Sequence, residues 1–412
     1  MIPKKIAAGI ALAAALPLTL TACGGGGGSD QGSGSGSTEQ VASLSILDYY
    51  NNDPDKQLVQ KGLDTCAKQV NITINRETVP GDTLIAKVLQ QASSKTLPDV
   101  LMLDNPDIQQ IAATGALAPL DEYGINGEGI QEGVIQAATY EGKLYGLQPV
   151  TNTIAIFYNK KILSAAGIKP PTTWDELKDS AKKLTKGKQY GFAFDATADY
   201  EGAWQFLPAM WTNGGDETAL TTPEVAEALQ LWKDLVDSGA ASKSVVTFSQ
   251  GDVADQFKAG RAAMMLNGPW NIPSLSEEKS LEWDVVTFPV NKAGQQSVAP
   301  LGGEAWTVPL TGDEAKQAKA AEFVKCLNSD DVALQFAKDR YVVPTNLELA
   351  KKYADEVPEM AAFAKQVSTA RSRTGQLGDK WPDTAKIIYT GVQLTLTGQA
   401  PPADAMAKAG AQ

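Results

Sequence analysis

The tightest constraint on the fold lies between Thr151 and Leu184. Thr153–Tyr158 is short, apolar and partly β-branched, the pattern of a buried strand. Lys160–Ala166 switches to helical spacing and Gly167 closes it. Pro170-Pro171 forbids continuation, because the residue before a proline is pushed out of the helical region. A second helix then starts afresh. Thr173 can cap it, and Glu176 can reach back to the cap amide, a capping box. Leu177, Ala181 and Leu184 follow at i, i+4 and i+7 on one face. Strand, helix, forced stop and capped restart point to an α/β chain.

The region before it repeats that rhythm. Strands are predicted at Ser43–Asp48, Ile72–Glu77 and Asp99–Leu103, alternating with helices at Asp55–Gln69 and Gly81–Ser93, which implies a parallel sheet. Such sheets bind ligands at the carboxyl ends of their strands. Tyr49–Asn51 and Asp104-Asn105 stand at those ends, although an Asx turn into the next helix is the plainer role for the latter pair. Further on, Val225, Leu229, Trp232 and Val236 share one helical face, which makes Trp232 a core residue, and Trp283 opens a strand and reads as packing. The last helices are predicted near Pro358–Thr369 and Asp383–Thr397, with Arg371, Arg373 and Trp381 in the loop between them.

Composition sets the class. With 43% hydrophobic and 20% charged residues the chain can bury a sizeable core. Beyond its first segments it runs to about 370 residues, more than one ordinary domain, which predicts two lobes. Removing Lys4 and Lys5 from the 36 basic residues leaves 34 against 48 acidic ones, a net −14, with no basic cluster for nucleic acid. Histidine is absent. That excludes Ser-His-Asp and Cys-His catalysis and imidazole zinc sites. No metal and no cofactor is expected. Carboxylate-pair chemistry stays open, and no Gly-x4-Gly-Lys-Ser/Thr phosphate loop occurs.

Residues 1–22 read as a signal peptide: Lys4 and Lys5, then the apolar run Ile6–Leu18, too short to span a membrane. Leu20-Thr21-Ala22-Cys23 looks like a lipobox, with Cys23 the lipidated residue. Ordinary signal-peptide cleavage, or a cytosolic chain with an apolar start, would need no lipid there. Residues 23–40 are a Gly/Ser-rich tether that cannot pack a core. These features imply a soluble body on the extracytoplasmic face of the membrane, held by its lipid alone.

Three segments resemble one family. They are Asn152-Thr153 through Phe157-Tyr158-Asn159-Lys160 to Pro170–Leu177; Leu97–Tyr123, with Asp104-Asn105 and Gly115-Ala116-Leu117; and Phe257–Trp270, ending Asn-Gly-Pro-Trp. Together they resemble the maltose-binding-like extracellular solute-binding proteins of ABC importers. The resemblance implies a two-lobe periplasmic-binding-protein fold (α/β, type II-like) with three hinge crossings and a ligand cleft between the lobes. The crossings would fall within Thr151–Leu184, and at Val298–Pro309 and Tyr341–Thr345. Lobe 1 would comprise residues 41–152 plus 305–345, and lobe 2 residues 153–304 plus 346–412.

The implied ligand set is Tyr50, Asn51, Asp104, Asn105, Asn152, Glu201, Trp204, Trp270, Glu304, Arg373 and Trp381. Trp211 is second choice to Trp204, and Tyr50 is preferred to Tyr49 because an extended backbone would send the two rings opposite ways. Tryptophan planes suit pyranose C–H faces, and Asn, Asp, Glu and Arg suit the hydroxyls. In the family's topology the helices carrying Cys66 and Cys326 both return to the first lobe, which makes a disulfide the expectation and two buried free thiols the alternative. The function implied is capture of a mono- or oligosaccharide without turnover, by a monomer that delivers it to ABC permease subunits. The competing classes are an exported glycoside hydrolase with a carboxylate pair and a peptide-binding surface receptor.

Overall fold

The computed structural model describes residues 41–412. The expected signal peptide, Cys23 and the tether lie outside the described residues. In chain order the strands are β1 (Ser43–Asp48), β2 (Thr73–Thr78), β3 (Val100–Asp104), β4 (Thr139–Tyr140), β5 (Lys143–Leu144), β6 (Gly146–Leu147), β7 (Val150–Thr151), β8 (Ala155–Asn159), β9 (Tyr190–Ala193), β10 (Ala262–Asn267), β11 (Trp283–Val286), β12 (Glu304–Thr307) and β13 (Val343–Pro344). Two sheets organise them into two α/β lobes. The first has the order β2-β1-β3-β12-β6 and the second β11-β8-β10-β9. β1 runs parallel to β2 and β3, while β12 joins antiparallel to β3.

The constraint around Thr173 works as local chemistry. Asn159 caps the helix Lys160–Ala165 through the Ile162 N–H at 3.1 Å. Thr173 caps the helix Trp174–Leu184, accepting from the Glu176 N–H at 3.2 Å while Glu176 accepts from the Thr172 and Thr173 amides. The buried face of that helix meets β9 at Gly191, where a Cβ would fall 1.8 Å from the Ala181 carbonyl oxygen. Only glycine admits so close a contact of strand and helix.

Three chain segments lie side by side at the junction of the sheets, although the third, expected to cross at Tyr341–Thr345, does not yet leave the first sheet there. β7 pairs with β13, and Asn152 bridges to Gly302. Thr151 and Thr153 donate their hydroxyls to the carbonyls of Gly302 and Pro300, each at 2.8 Å. Thr345 donates to the Gln148 carbonyl at 2.5 Å. These hydroxyls, and the Gln148 Nε2 that donates to the Gly302 carbonyl at 2.9 Å, each find a partner on another segment. Gly303 stands at φ 113°, and a Cβ there would meet the Gln148 side chain at 2.1 Å.

Two features depart from the sequence reading. The helix Leu347–Glu356 was not expected, and it packs beside the helix Asp330–Arg340, with the Tyr353 hydroxyl donating to the Ala337 carbonyl at 2.8 Å. Asn346 also bridges to Ile130. The chain after Thr345 therefore stays with the first sheet for this helix, and reaches the second only near Phe363, whose ring lies 5.5 Å from Phe157. The second departure is the last long helix, which begins at Trp381 rather than Asp383. Cys66 and Cys326 are joined as a disulfide between the helices Asp55–Gln69 and Glu314–Leu327.

Candidate functional site

The first sheet presents the carboxyl ends of β1 and β3, and the start of β12, to the crossings. Antiparallel pairing sets Glu304 directly opposite Asp104, so the two carboxylates leave the same face. Glu304 accepts from the Tyr49 hydroxyl at 2.5 Å on one oxygen and from the Tyr50 hydroxyl on the other. Both rings thus converge, contrary to the expectation that only Tyr50 would. The backbone bends after β1 because buried Asp48 accepts from the Tyr50 N–H at 2.9 Å and the Asn51 N–H turns back to the Tyr49 carbonyl. Arg76 fixes Asp48 in turn with a two-pronged contact at 2.6 and 2.8 Å. Burial, and then the Glu304 charge, push Tyr49 well above the ordinary phenol range. For Tyr50 burial again leads, offset in part by the Arg340 guanidinium 4.5 Å from its ring. Both phenols remain donors at neutral pH.

Arg373 joins the two sides. Its Nη2 donates to Asp104 and to Asn105 at 2.9 Å each, and its guanidinium lies 4.5 Å from the Trp204 ring centroid. Trp204 sits on the helix Tyr200–Thr212, only 7% exposed, with its Nε1 unpartnered. Its ring edge rests on the second crossing, where a Cβ on Gly302 would fall 2.6 Å from Cη2 and 2.1 Å from the Asn152 Oδ1. Asp107 lies close by, 7% exposed with Oδ1 unpartnered. Burial and the Asp104 carboxylate push it up to about 7 against the pull of Arg373. Within the second lobe, Asp195 is pushed up to about 8 by burial, although Thr197 hydrogen bonds oppose the rise.

The expected residues therefore divide. Tyr50, Asp104, Asn105, Asn152, Trp204, Glu304 and Arg373 form one connected group. Trp270 follows β10 on the short turn Pro269–Asn271 and is half-buried, its ring folded against Gly268. Asn51 is half-buried beside the tyrosines. Glu201 stands apart, exposed, accepting from the Gln250 N–H at 3.1 Å.

Trp381 requires a correction: it is 2% exposed and packed in the core of the second lobe. Its helix starts two residues earlier than predicted because Pro382 is tolerated within the first turn, which turns the ring inward. Trp211, the second choice, is buried and donates to Glu217 at 2.7 Å. Sequence reasoning missed Asp107, Arg340 and Tyr200. Asp107 follows Asp104 by three positions on a short turn and was legible in principle. Tyr200 opens the helix that carries Trp204, one turn before it, and was legible beside Glu201, whereas Arg340 reaches the site from a distant helix and leaves no local signal.

The arrangement offers paired phenol donors, carboxylate and amide acceptors, a guanidinium and an indole plane. These are means of holding a polar, ring-bearing solute by charge-assisted and neutral hydrogen bonds. The chain is similar to several known proteins. A protein of Brucella abortus (strain 2308), named only as a binding protein, is 29% identical over 363 residues, covering 84% of this chain and 87% of its own length. The maltooligosaccharide ABC transporter solute-binding lipoprotein of Streptococcus pneumoniae TIGR4 is 26% identical over 376 residues, covering 84% of each chain. Among solved structures, the GacH receptor of Streptomyces glaucescens, determined unliganded and with acarbose, superposes with a TM-score of 0.80 at 27% identity, over 90% of this chain and 97% of that one. Residues 62–365 match one family along most of the described chain, and by that match the protein belongs to the bacterial extracellular solute-binding proteins.

Proposed function

We propose that this protein is the substrate-binding lipoprotein of a carbohydrate ABC importer, anchored through Cys23 outside the membrane. It captures an oligosaccharide of the maltooligosaccharide type between two lobes, residues 41–152 plus 305–356 and residues 153–304 plus 363–412, and passes it to permease subunits. One observation carries the reading. Asp104, Asn105, Glu304 and the two tyrosines from the first sheet meet Arg373 and Trp204 from the second lobe across the three crossings. The names of the relatives support the ligand class. The indole of Trp204, joined by Trp270 at the end of β10, supplies ring-stacking surface, while the tyrosine, carboxylate and amide groups read hydroxyls. A solute that touches both sides stabilises the closed arrangement only as far as it prefers that arrangement, which is hinge closure by differential affinity.

The test is a thermal-shift and tryptophan-fluorescence titration with maltose, maltotriose, maltotetraose and unrelated peptides. A sugar at 100 times its Kd adds about 2.7 kcal/mol of stability, and Trp204→Ala removes both the shift and the fluorescence change. A shift with peptides and none with any carbohydrate overturns the reading. For the anchor, Cys23→Ser moves the protein from the membrane fraction to the soluble one; unchanged partition overturns lipidation.

A further inference from the structure

The loop that carries Arg373 is held at a second point that the solute site does not use. Arg371, two residues earlier, lies with its guanidinium 4.8 Å from the Trp211 ring centroid. Its Nη2 donates to Asp216 at 3.2 Å and to both oxygens of Glu217 at 3.1 and 3.0 Å. Trp211 Nε1 donates to the same Glu217 at 2.7 Å, and Gln376 Nε2 donates to Asp216 at 2.9 Å. The Glu217 side chain is fully buried, so Arg371 is its compensating charge. Burial alone would raise Asp216, but hydrogen bonds from Thr218, Gln376 and Arg371 pull it down to about 2. The backbone is tied as well: the Arg371 N–H donates to Ala299 at 3.0 Å, and the Leu301 N–H donates to Arg371 at 2.7 Å.

We propose that Arg371 is a positioning residue for the solute site: it clamps the loop 371–376 to the second lobe, so that Arg373 at the other end of the same short segment closes on Asp104 and Asn105 of the first. The loop is then a strut with two arginine heads, one fixed and one that engages on closure. Consecutive Cα atoms are 3.8 Å apart, so the two-residue spacing leaves Arg373 little freedom once Arg371 is seated. A planar guanidinium that stacks on the Trp211 ring while its Nη2 reaches both carboxylates gives that seat a geometry lysine cannot reproduce. The clamp also grips the second crossing through Ala299 and Leu301, which places the strut beside the segment that must bend.

The inference rests on the two-lobe closure proposed above, and the experiment separates the two. Spin labels at the exposed positions Lys68 and Lys183 report the distance between the lobes in sugar-free protein, and maltotetraose titration reports affinity. Arg371→Ala and Arg373→Ala each broaden and lengthen the sugar-free distance and weaken maltotetraose binding about tenfold or more. The double variant does no worse than the weaker single, because the two heads act through one strut. Arg371→Lys gives an intermediate distance. If Arg371→Ala unfolds the lobe, Asp216→Asn, at a half-buried rim position, loosens the same clamp with the fold intact. Distances unchanged by Arg371→Ala and by Asp216→Asn, or effects of the two arginines that multiply independently, overturn the strut. Failure of wild type to bind maltotetraose counts against the carbohydrate reading alone, since the sugar-free distances still judge the strut.

Discussion

Asp107 lies under the site with one carboxyl oxygen unbonded, facing the Asp104 carboxylate, the Arg373 guanidinium and the Tyr200 ring. Burial and Asp104 raise it from 3.8 to about 7, so the folded protein prefers it protonated. The sign of the linkage follows. Stability from this group is fully present below the unfolded value near 4 and is lost as pH rises through 7. Asp107→Asn removes the proton, and urea unfolding should show the variant gaining about 2–4 kcal/mol on wild type at pH 8 and nothing at pH 4. A constant difference at both values would mean the carboxyl is not the titrating group. Asp195, pushed up to about 8, tilts both proteins equally and cancels in the difference. Legibility at this scale tracks sequence distance. Asp104, Asn105, Glu304 and Arg373 stand where motifs end. Arg340 stacks on Tyr50 from a helix some three hundred positions later, which no local pattern announces.

Elements were readable where a stop or start signal coincides with a broad apolar stripe. The helix Trp174–Leu184 has both, its cap at Thr173 and its buried Leu177, Ala181 and Leu184. The helix Leu347–Glu356 buries only Leu349 and Tyr353, a stripe too thin for periodicity to detect among charged neighbours. The two kinds of determinant also differ in weight. Thr173→Ala removes a capping bond and should cost about 1 kcal/mol, roughly 1–2 °C in Tm for a chain of this size. Gly191→Ala places a methyl 1.8 Å from the Ala181 carbonyl oxygen, a contact with backbone that no rotamer relieves. The helix must move off β9, and about 3 kcal/mol or more should be lost. Thermal denaturation of the two variants orders them; a milder effect from Gly191→Ala would show that β9 and the helix are not in close contact.

Across the whole molecule, the disulfide and the crossings act on different degrees of freedom. Cys66 and Cys326 are 260 residues apart, and the loop between them contains the second sheet and the first two crossings. Both cysteines nevertheless lie on helices packed against the first sheet. The helix Asp55–Gln69 touches both the helix Glu314–Leu327 and the helix Asp330–Arg340. The bridge therefore restrains the unfolded chain over a very long loop while leaving the relative movement of the lobes unconstrained. In the chain-entropy argument a loop of that length contributes about 5 kcal/mol to stability, less whatever the unfolded state retains. The double substitution Cys66→Ser and Cys326→Ser should lower the unfolding free energy by about 2–5 kcal/mol, read from denaturant curves. Maltotetraose affinity, measured well below the variant's Tm, should stay within twofold of wild type, because no site residue shifts and no crossing is touched. A tenfold loss of affinity with the fold intact would show instead that the bridge sets the spacing of the crossings, and that closure is strained against it.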